Sequence, residues 1–150
     1  MQHKQRFTNV TLVTPHGEEH KDLLIDGDKI VDILNPNENI SDDWKIIDGQ
    51  NNFIFPGMID VLQHGFLNYL YGHAEENCTV DNSKILPSVG VTGFLPSTPC
   101  LPPEKTKTLL NALSNDIDKA KEGARVLGIH SEGPCFALPG AHDPKNLRNP

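Results

Sequence analysis

"VGVTGFLPSTPCLPPEKTKTLLNALSNDIDKAKEGARVLGIHSEGP", residues 89–134, reads as strand, helix and strand in succession, and that alternation decides the fold class. The opening "VGVTGFLPST" is a short apolar run of the kind that fills a fully buried strand, ended by Pro96. Pro102 and Pro103 then suit a helix start, and Glu104 falls in the first turn, where the helix dipole favours an anion. Leu109, Leu110, Leu113, Ile117 and Ala120 recur at helical spacing on one face, and Gly123 ends the helix. "ARVLGIH", residues 124–130, is the returning strand. This order predicts an α/β fold whose parallel sheet is joined by right-handed crossovers.

Upstream, "FIFPGMIDVLQHG", residues 53–65, adds one more parallel strand: Pro56-Gly57 makes a turn and "MIDVL" runs on as a buried strand. Ile85, Leu86 and Val89 predict a short helix before the next strand, with Pro87 inside it. Residues 6–55 read as short antiparallel strands, Phe7–Val13, Leu23–Ile25, Ile30–Leu34 and Ile46-Ile47. "DGDK", residues 26–29, is a strong hairpin turn. After His130 the pattern is lost in a Pro/Gly-rich loop that runs to Pro150. Three parallel strands seldom make a finished domain, so the expectation is the front part of something larger.

The 150 residues are 37% hydrophobic, enough for a real core. With 13 basic against 20 acidic residues the net charge is −7, and no Lys/Arg cluster stands out. Nucleic acid and an anionic membrane surface are therefore not expected partners. No apolar run approaches the roughly 20 residues of a membrane span. Cys78, Cys100 and Cys135 are odd in number and form no C-x-x-C pair, which argues against a disulfide framework or a thiolate zinc site. A cytoplasmic protein is the expectation.

Ligands of β/α proteins meet the carboxyl ends of the parallel strands. The first strand delivers Asp60 and His64 there, the second Ser97 and Thr98, the third His130 and Glu132. Strand period two puts His130 and Glu132 on one side. Gly133-Pro134 then turns the chain sharply, leaving a fixed carboxylate at the mouth of the sheet. A metal ligand or a general base has those requirements. Taken singly, each residue has a plainer reading: Glu132 as a loop hydrogen-bond acceptor or salt-bridge member, His64 as a structural imidazole, Asp60 as a cap on a backbone group. His3, His16, His20 and His73 have no spacing that suggests a site.

Four segments taken in order change those odds. "FPGMIDVLQHG", "VGVTGFLPST", "LGIHSEGP" and "GAHDPKNLR" together resemble the N-terminal part of the N-acetylglucosamine-6-phosphate deacetylase family of the amidohydrolase superfamily. "PG-x-ID" is shared across amidohydrolases, whereas "GVT-x-FLP-[ST]-T", "GIH-x-EGP" and "GAHDP" in combination are specific to the deacetylases. The resemblance implies that residues 1–55 are the first strands of a small β-sandwich. Residues 56–150 would be the first three β/α units of a (β/α)8 TIM barrel, here truncated.

Further implications concern chemistry. The family hydrolyses N-acetylglucosamine 6-phosphate to glucosamine 6-phosphate and acetate with a divalent metal, zinc first, with iron, manganese or cobalt as alternatives. Glu132 becomes the metal carboxylate, with His64 a second candidate ligand. Ala141 and His142 match the pair that touches the amino-sugar phosphate. Leu62 stands where many amidohydrolases carry the first histidine of His-x-His, and it cannot bind metal. Two further metal histidines and the proton-shuttling aspartate are expected beyond Pro150, so no catalytic residue is assigned within the chain, which alone should be inactive. The parent enzyme is expected to be a homo-oligomer. Another amidohydrolase acting on a different amide or cyclic amide, or a non-catalytic remnant, are the alternative readings.

Overall fold

A computed structural model describes residues 4–41, 43–71 and 77–148. His3 and His73 lie outside the described residues. The chain divides into two compact units, Met1–Pro56 and Gly57–Pro150. Among the described residues no helix is long and apolar enough to cross a membrane.

The first unit is a four-stranded sheet built from β1 (Lys4–Thr14), β2 (Gly17–Asp26), β3 (Lys29–Leu34) and β4 (Lys45–Ile54), in the order β3-β2-β1-β4. The "DGDK" hairpin forms as expected, with Asp26 opposite Lys29 and Gly27 at φ 63°. One expectation is corrected: the strands are not all antiparallel, because β4 runs parallel to β1. The loop between β3 and β4 is long enough to carry the chain back to the starting edge, which a tight hairpin turn is not. A paired irregularity interrupts β1 and β4, where Asn9, Gln50 and Asn51 take positive φ. Asp48 secures it by accepting from Asn9 Nδ2 at 3.0 Å and from the Gln50 N–H at 2.9 Å. Those two donors hold its carboxyl below the usual carboxylate range, the backbone bond contributing most. Val10, Leu12 and Leu23 form the core of one sheet face. Strand alternation sends Asp22 to the opposite face, where Arg6 Nε and Nη2 donate to its Oδ2 at 2.7 and 2.6 Å.

The second unit is the α/β part. Its order is β5 (Met58–Gln63), a small hairpin of β6 (Gly65–Phe66) and β7 (Tyr69–Leu70), α1 (Cys78–Ile85), a 3₁₀ turn at Leu86–Val89, and β8 (Val91–Thr98). Then come α2 (Pro103–Ile117), β9 (Arg125–Val126), β10 (His130–Ser131) and a 3₁₀ turn at Pro144–Asn146. β8 is central, paired in parallel with β5 on one side and with β9 and β10 on the other. Tyr71, Leu86, Phe94, Leu109, Leu113 and Ala124 make up most of its core. Strand–helix–strand order thus gives the parallel α/β sheet that the sequence predicts.

Four details of the sequence reading need correction. Pro96 does not end β8, which continues to Thr98; Pro96 is buried and faces Gln63 where the β5–β8 register is irregular. The apolar β5 side chains are exposed rather than buried, Ile59 at 62% and Val61 at 57%, since β5 has β8 as its one sheet neighbour among the described residues. "ARVLGIH" is not one strand: Gly128, at φ 152°, lies in the break between β9 and β10.

The fourth concerns α2, which closes at Ile117, leaving Ala120 and Gly123 outside it. Its last turn tightens as the Lys119 and Ala120 N–H groups both donate to the Asp116 carbonyl. Gly123 serves close packing instead: a Cβ there would stand 2.1 Å from the Ser83 carbonyl oxygen. That approach lets Ser83 O accept from the Ala124 N–H at 2.7 Å while the Ser83 hydroxyl meets the Ala124 carbonyl at 2.6 Å. The buried face of α1 is mostly polar, made of Thr79, Asn82 and Ser83 beside Cys78.

Candidate metal centre

Glu132 leaves the end of β10, and its N–H donates to the Thr98 carbonyl at 3.2 Å, which ties the residue to the carboxyl end of β8. Gly133 follows at φ 85°, then a cis bond to Pro134. Gly133 is required twice over: the backbone is left-handed, and a Cβ would lie 2.5 Å from Phe136 Cε2. The carboxylate is part-buried at 23% exposure and stands between two imidazoles. His64 Nε2 lies 3.6 Å from Glu132 Oε2, and His142 Nε2 lies 3.7 Å from Glu132 Oε1.

Those separations are long for hydrogen bonds. They suit donors that share a cation: two ligands each about 2.1 Å from one tetrahedral ion stand about 3.4 Å apart. The donor set, one carboxylate and imidazole nitrogens, is the one zinc and related divalent ions take. The fit is partial, since the two imidazoles address different oxygens. Among the described residues no three His, Cys, Asp or Glu side chains close into a metal cage.

His142 arrives from a loop that the fold holds at several points. Asn146 Nδ2 donates to the Cys100 carbonyl at 3.1 Å, Cys100 Sγ donates to the Asn146 carbonyl at 3.3 Å, and the Arg148 N–H donates to the Pro134 carbonyl at 3.0 Å. Asp143 caps the 3₁₀ turn by accepting from the Lys145 N–H at 3.0 Å. Phe136 packs its ring against His142 with centroids 4.6 Å apart. A cleft of about 360 Å³ opens beside Glu132, bordered by Pro134, Arg148 and the α2 residues Thr106, Lys107 and Asn111.

The structure therefore brings together Glu132, His64 and His142 and leaves the other strand-exit residues apart from that cluster. Ala141 is exposed in the turn before His142. Asp60 accepts from the Leu62 N–H at 3.1 Å, the backbone-capping role. Ser97 and Thr98 are fully buried, Ser97 donating to the Leu95 carbonyl at 3.1 Å. His130 Nδ1 lies 3.0 Å from the Val61 carbonyl oxygen. Sequence reasoning missed Cys100, Phe136 and Asn146. They shape the loop through contacts up to 46 residues apart in sequence, for which local pattern carries no signal.

Fold and site define a class: a parallel β/α protein that presents a carboxylate between imidazoles at the carboxyl ends of its strands. No protein-family profile matches the chain. Comparison with individual proteins is specific, and it bears out the resemblance carried by the sequence motifs. The N-acetylglucosamine-6-phosphate deacetylase of Danio rerio is 32% identical over 152 residues, spanning 95% of this chain and 37% of that protein. The Haemophilus influenzae enzyme of the same name is 25% identical over 97% of this chain and 38% of its own length. Among solved structures, that of the Pasteurella multocida N-acetylglucosamine-6-phosphate deacetylase superposes with a TM-score of 0.82 at 28% identity, covering 97% of this chain and 38% of that one. The Thermotoga maritima deacetylase gives 0.74 at 29% identity and 97% coverage of this chain. The chain thus spans under two-fifths of the length of these relatives, consistent with their N-terminal portion alone.

Proposed function

We propose that this chain corresponds to the N-terminal portion of a metal-dependent deacetylase that hydrolyses N-acetylglucosamine 6-phosphate to glucosamine 6-phosphate and acetate. In this reading Met1–Pro56 supplies the first strands of a small β-sandwich, and Gly57–Pro150 supplies the first three β/α units of a TIM barrel. The observation that carries it is the Glu132 carboxylate, held at a strand exit with His64 at a co-ligand distance on one oxygen and His142 facing the other.

Glu132 and His64 are the residues that would hold a divalent ion, zinc by donor chemistry, with iron, manganese or cobalt as alternatives. What such an ion supplies there is Lewis acidity, for an amide carbonyl and for a water molecule alike. Glu132 contributes the negative charge that retains the cation, and the Thr98 carbonyl fixes its backbone. His142, with Ala141 beside it, orients the amino-sugar phosphate: its imidazole is aimed by Phe136 and by the loop bonds to Cys100. A catalytic zinc site takes three protein ligands, so these residues bind the ion more weakly than a finished centre and do not turn over substrate alone.

Titrating Co²⁺ into the purified chain tests the assignment, because its d–d spectrum reports ligand type. Saturable binding that Glu132→Gln abolishes, while the circular dichroism spectrum persists, is the expected result. Undiminished binding in Glu132→Gln rejects the carboxylate's role.

A further inference from the structure

We propose that His130 is a positioning residue: with Asp60 it pins one bulged peptide of β5 and thereby sets how His64 approaches Glu132. The inference rests on the reading of Glu132 as the metal carboxylate, and goes beyond it by assigning a role to the neighbouring histidine.

Asp60 pairs with Phe94 and Gln63 with Pro96, so three steps along β5 oppose two along β8. β5 therefore carries one extra residue in this stretch, the definition of a bulge. The mismatch falls beside Pro96, which has no N–H to give the ladder. Val61 and Leu62 lie inside the irregular stretch, and one peptide group joins them. Its N–H, that of Leu62, donates to Asp60 Oδ1 at 3.1 Å. Its carbonyl, that of Val61, lies 3.0 Å from His130 Nδ1. Both ends of a peptide displaced from the ladder are thus held by side chains, one from β5 itself and one from β10.

β10 lies on the far side of β8 from β5, with His130 opposite Ser97. The imidazole accordingly reaches across the central strand and ties the two outer ones together. A carbonyl oxygen can only accept, so Nδ1 carries the proton and the ring is fixed in one orientation. Two residues beyond the pinned peptide stands His64, and two residues beyond His130 stands Glu132. The exit of β5 is tightened further where the Gly65 N–H donates to Gln63 Oε1 at 3.0 Å. One hydrogen bond between the strands thus stands directly behind the pair of groups whose separation matters for a metal. Bulges beside active sites re-aim side chains in this way, and groups that hold metal ligands in place without touching the ion tune how tightly it is bound.

The test uses the 150-residue chain. Imidazole ¹⁵N spectra near neutral pH should show His130 protonated at Nδ1. His130→Leu should shift the Leu62–Gly65 amides and the His64 ring while α2 amides stay in place, and should weaken Co²⁺ binding by about 10–100-fold. His130→Asn, whose amide nitrogen can occupy the place of Nδ1, should restore most of both. If His130→Leu does not fold, Asp60→Ala removes the acceptor that holds the same peptide by its N–H and should move the same resonances, and a folded Asp60→Ala that leaves them unmoved overturns the clamp. A neutral His130 protonated at Nε2, or a folded His130→Leu that leaves Leu62–Gly65 and His64 unmoved, overturns the proposal. Co²⁺ binding that ignores Glu132→Gln sinks the metal reading instead, and the His64 and Leu62–Gly65 shifts then decide the clamp by themselves.

Discussion

Removing one partner of the Arg6–Asp22 pair should cost the first unit most of its stability. Both side chains are buried, at 9% and 3% exposure, and two guanidinium nitrogens converge on a single carboxylate oxygen at 2.6–2.7 Å. Asp22→Leu leaves the Arg6 cation buried without a counter-ion, which costs about 3–5 kcal/mol. A unit the size of Met1–Pro56 is stable by about 3–8 kcal/mol at the usual 0.05–0.15 kcal/mol per residue. The single variant should therefore stand at the edge of unfolding. Replacing both partners, Arg6→Met with Asp22→Leu, removes the stranded charge as well and should return stability to within about 1 kcal/mol of the parent or above it. Urea unfolding followed by Trp44 fluorescence reads this unit directly, because Trp44 is the chain's single tryptophan and lies within it. A loss below about 1 kcal/mol in Asp22→Leu would mean that water reaches the pair, and the reasoning from burial would be wrong.

Gly133→Ala should displace Phe136 and with it the His142 ring; a shift of the His142 imidazole resonances with α2 unchanged checks this, and unmoved His142 signals count against the role given to the glycine. Burial, with the charges of Cys78, Asp60 and Asp116 adding to it, pushes the Tyr71 hydroxyl above the usual tyrosine range. In the unfolded chain Tyr71 ionises near about pH 10 and in the folded chain it stays protonated, so stability should fall as pH rises past about 10. Tyrosinate absorbance of Tyr71 should then appear together with loss of the fold rather than before it. Asp48 titrates the opposite way: its depressed pKa contributes stability above the unfolded carboxyl value of about 3.9, lost as pH falls through the folded value. Asp48→Asn should remove that part of the acid dependence in a pH series of urea midpoints.

Much of the architecture was legible from local pattern. The α2 stripe placed Leu109 and Leu113 in the core, where both are buried, and the Asp-Gly turn produced the β2–β3 hairpin. Boundaries failed where the deciding partner lies far along the chain. Gly123 looked like a helix stop, yet its missing side chain serves the Ser83 carbonyl 40 positions earlier. "MIDVL" looked buried because a parallel strand needs both faces covered, and its exposed Ile59 and Val61 are a matter of what packs on it.

By itself the sequence determined the types and order of elements, the parallel α/β class, and the motif that puts Glu132 at a strand exit. Those properties follow from apolar periodicity and turn residues, which act within a few positions of each other. Only the tertiary structure decided that His64 and His142 flank that carboxylate, that β5 bulges beside Pro96, and that His130 reaches across β8 to hold the bulge. Each of these is a relation between segments brought together by strand pairing and loop closure, and distance in space is not written in the spacing of residues along a chain.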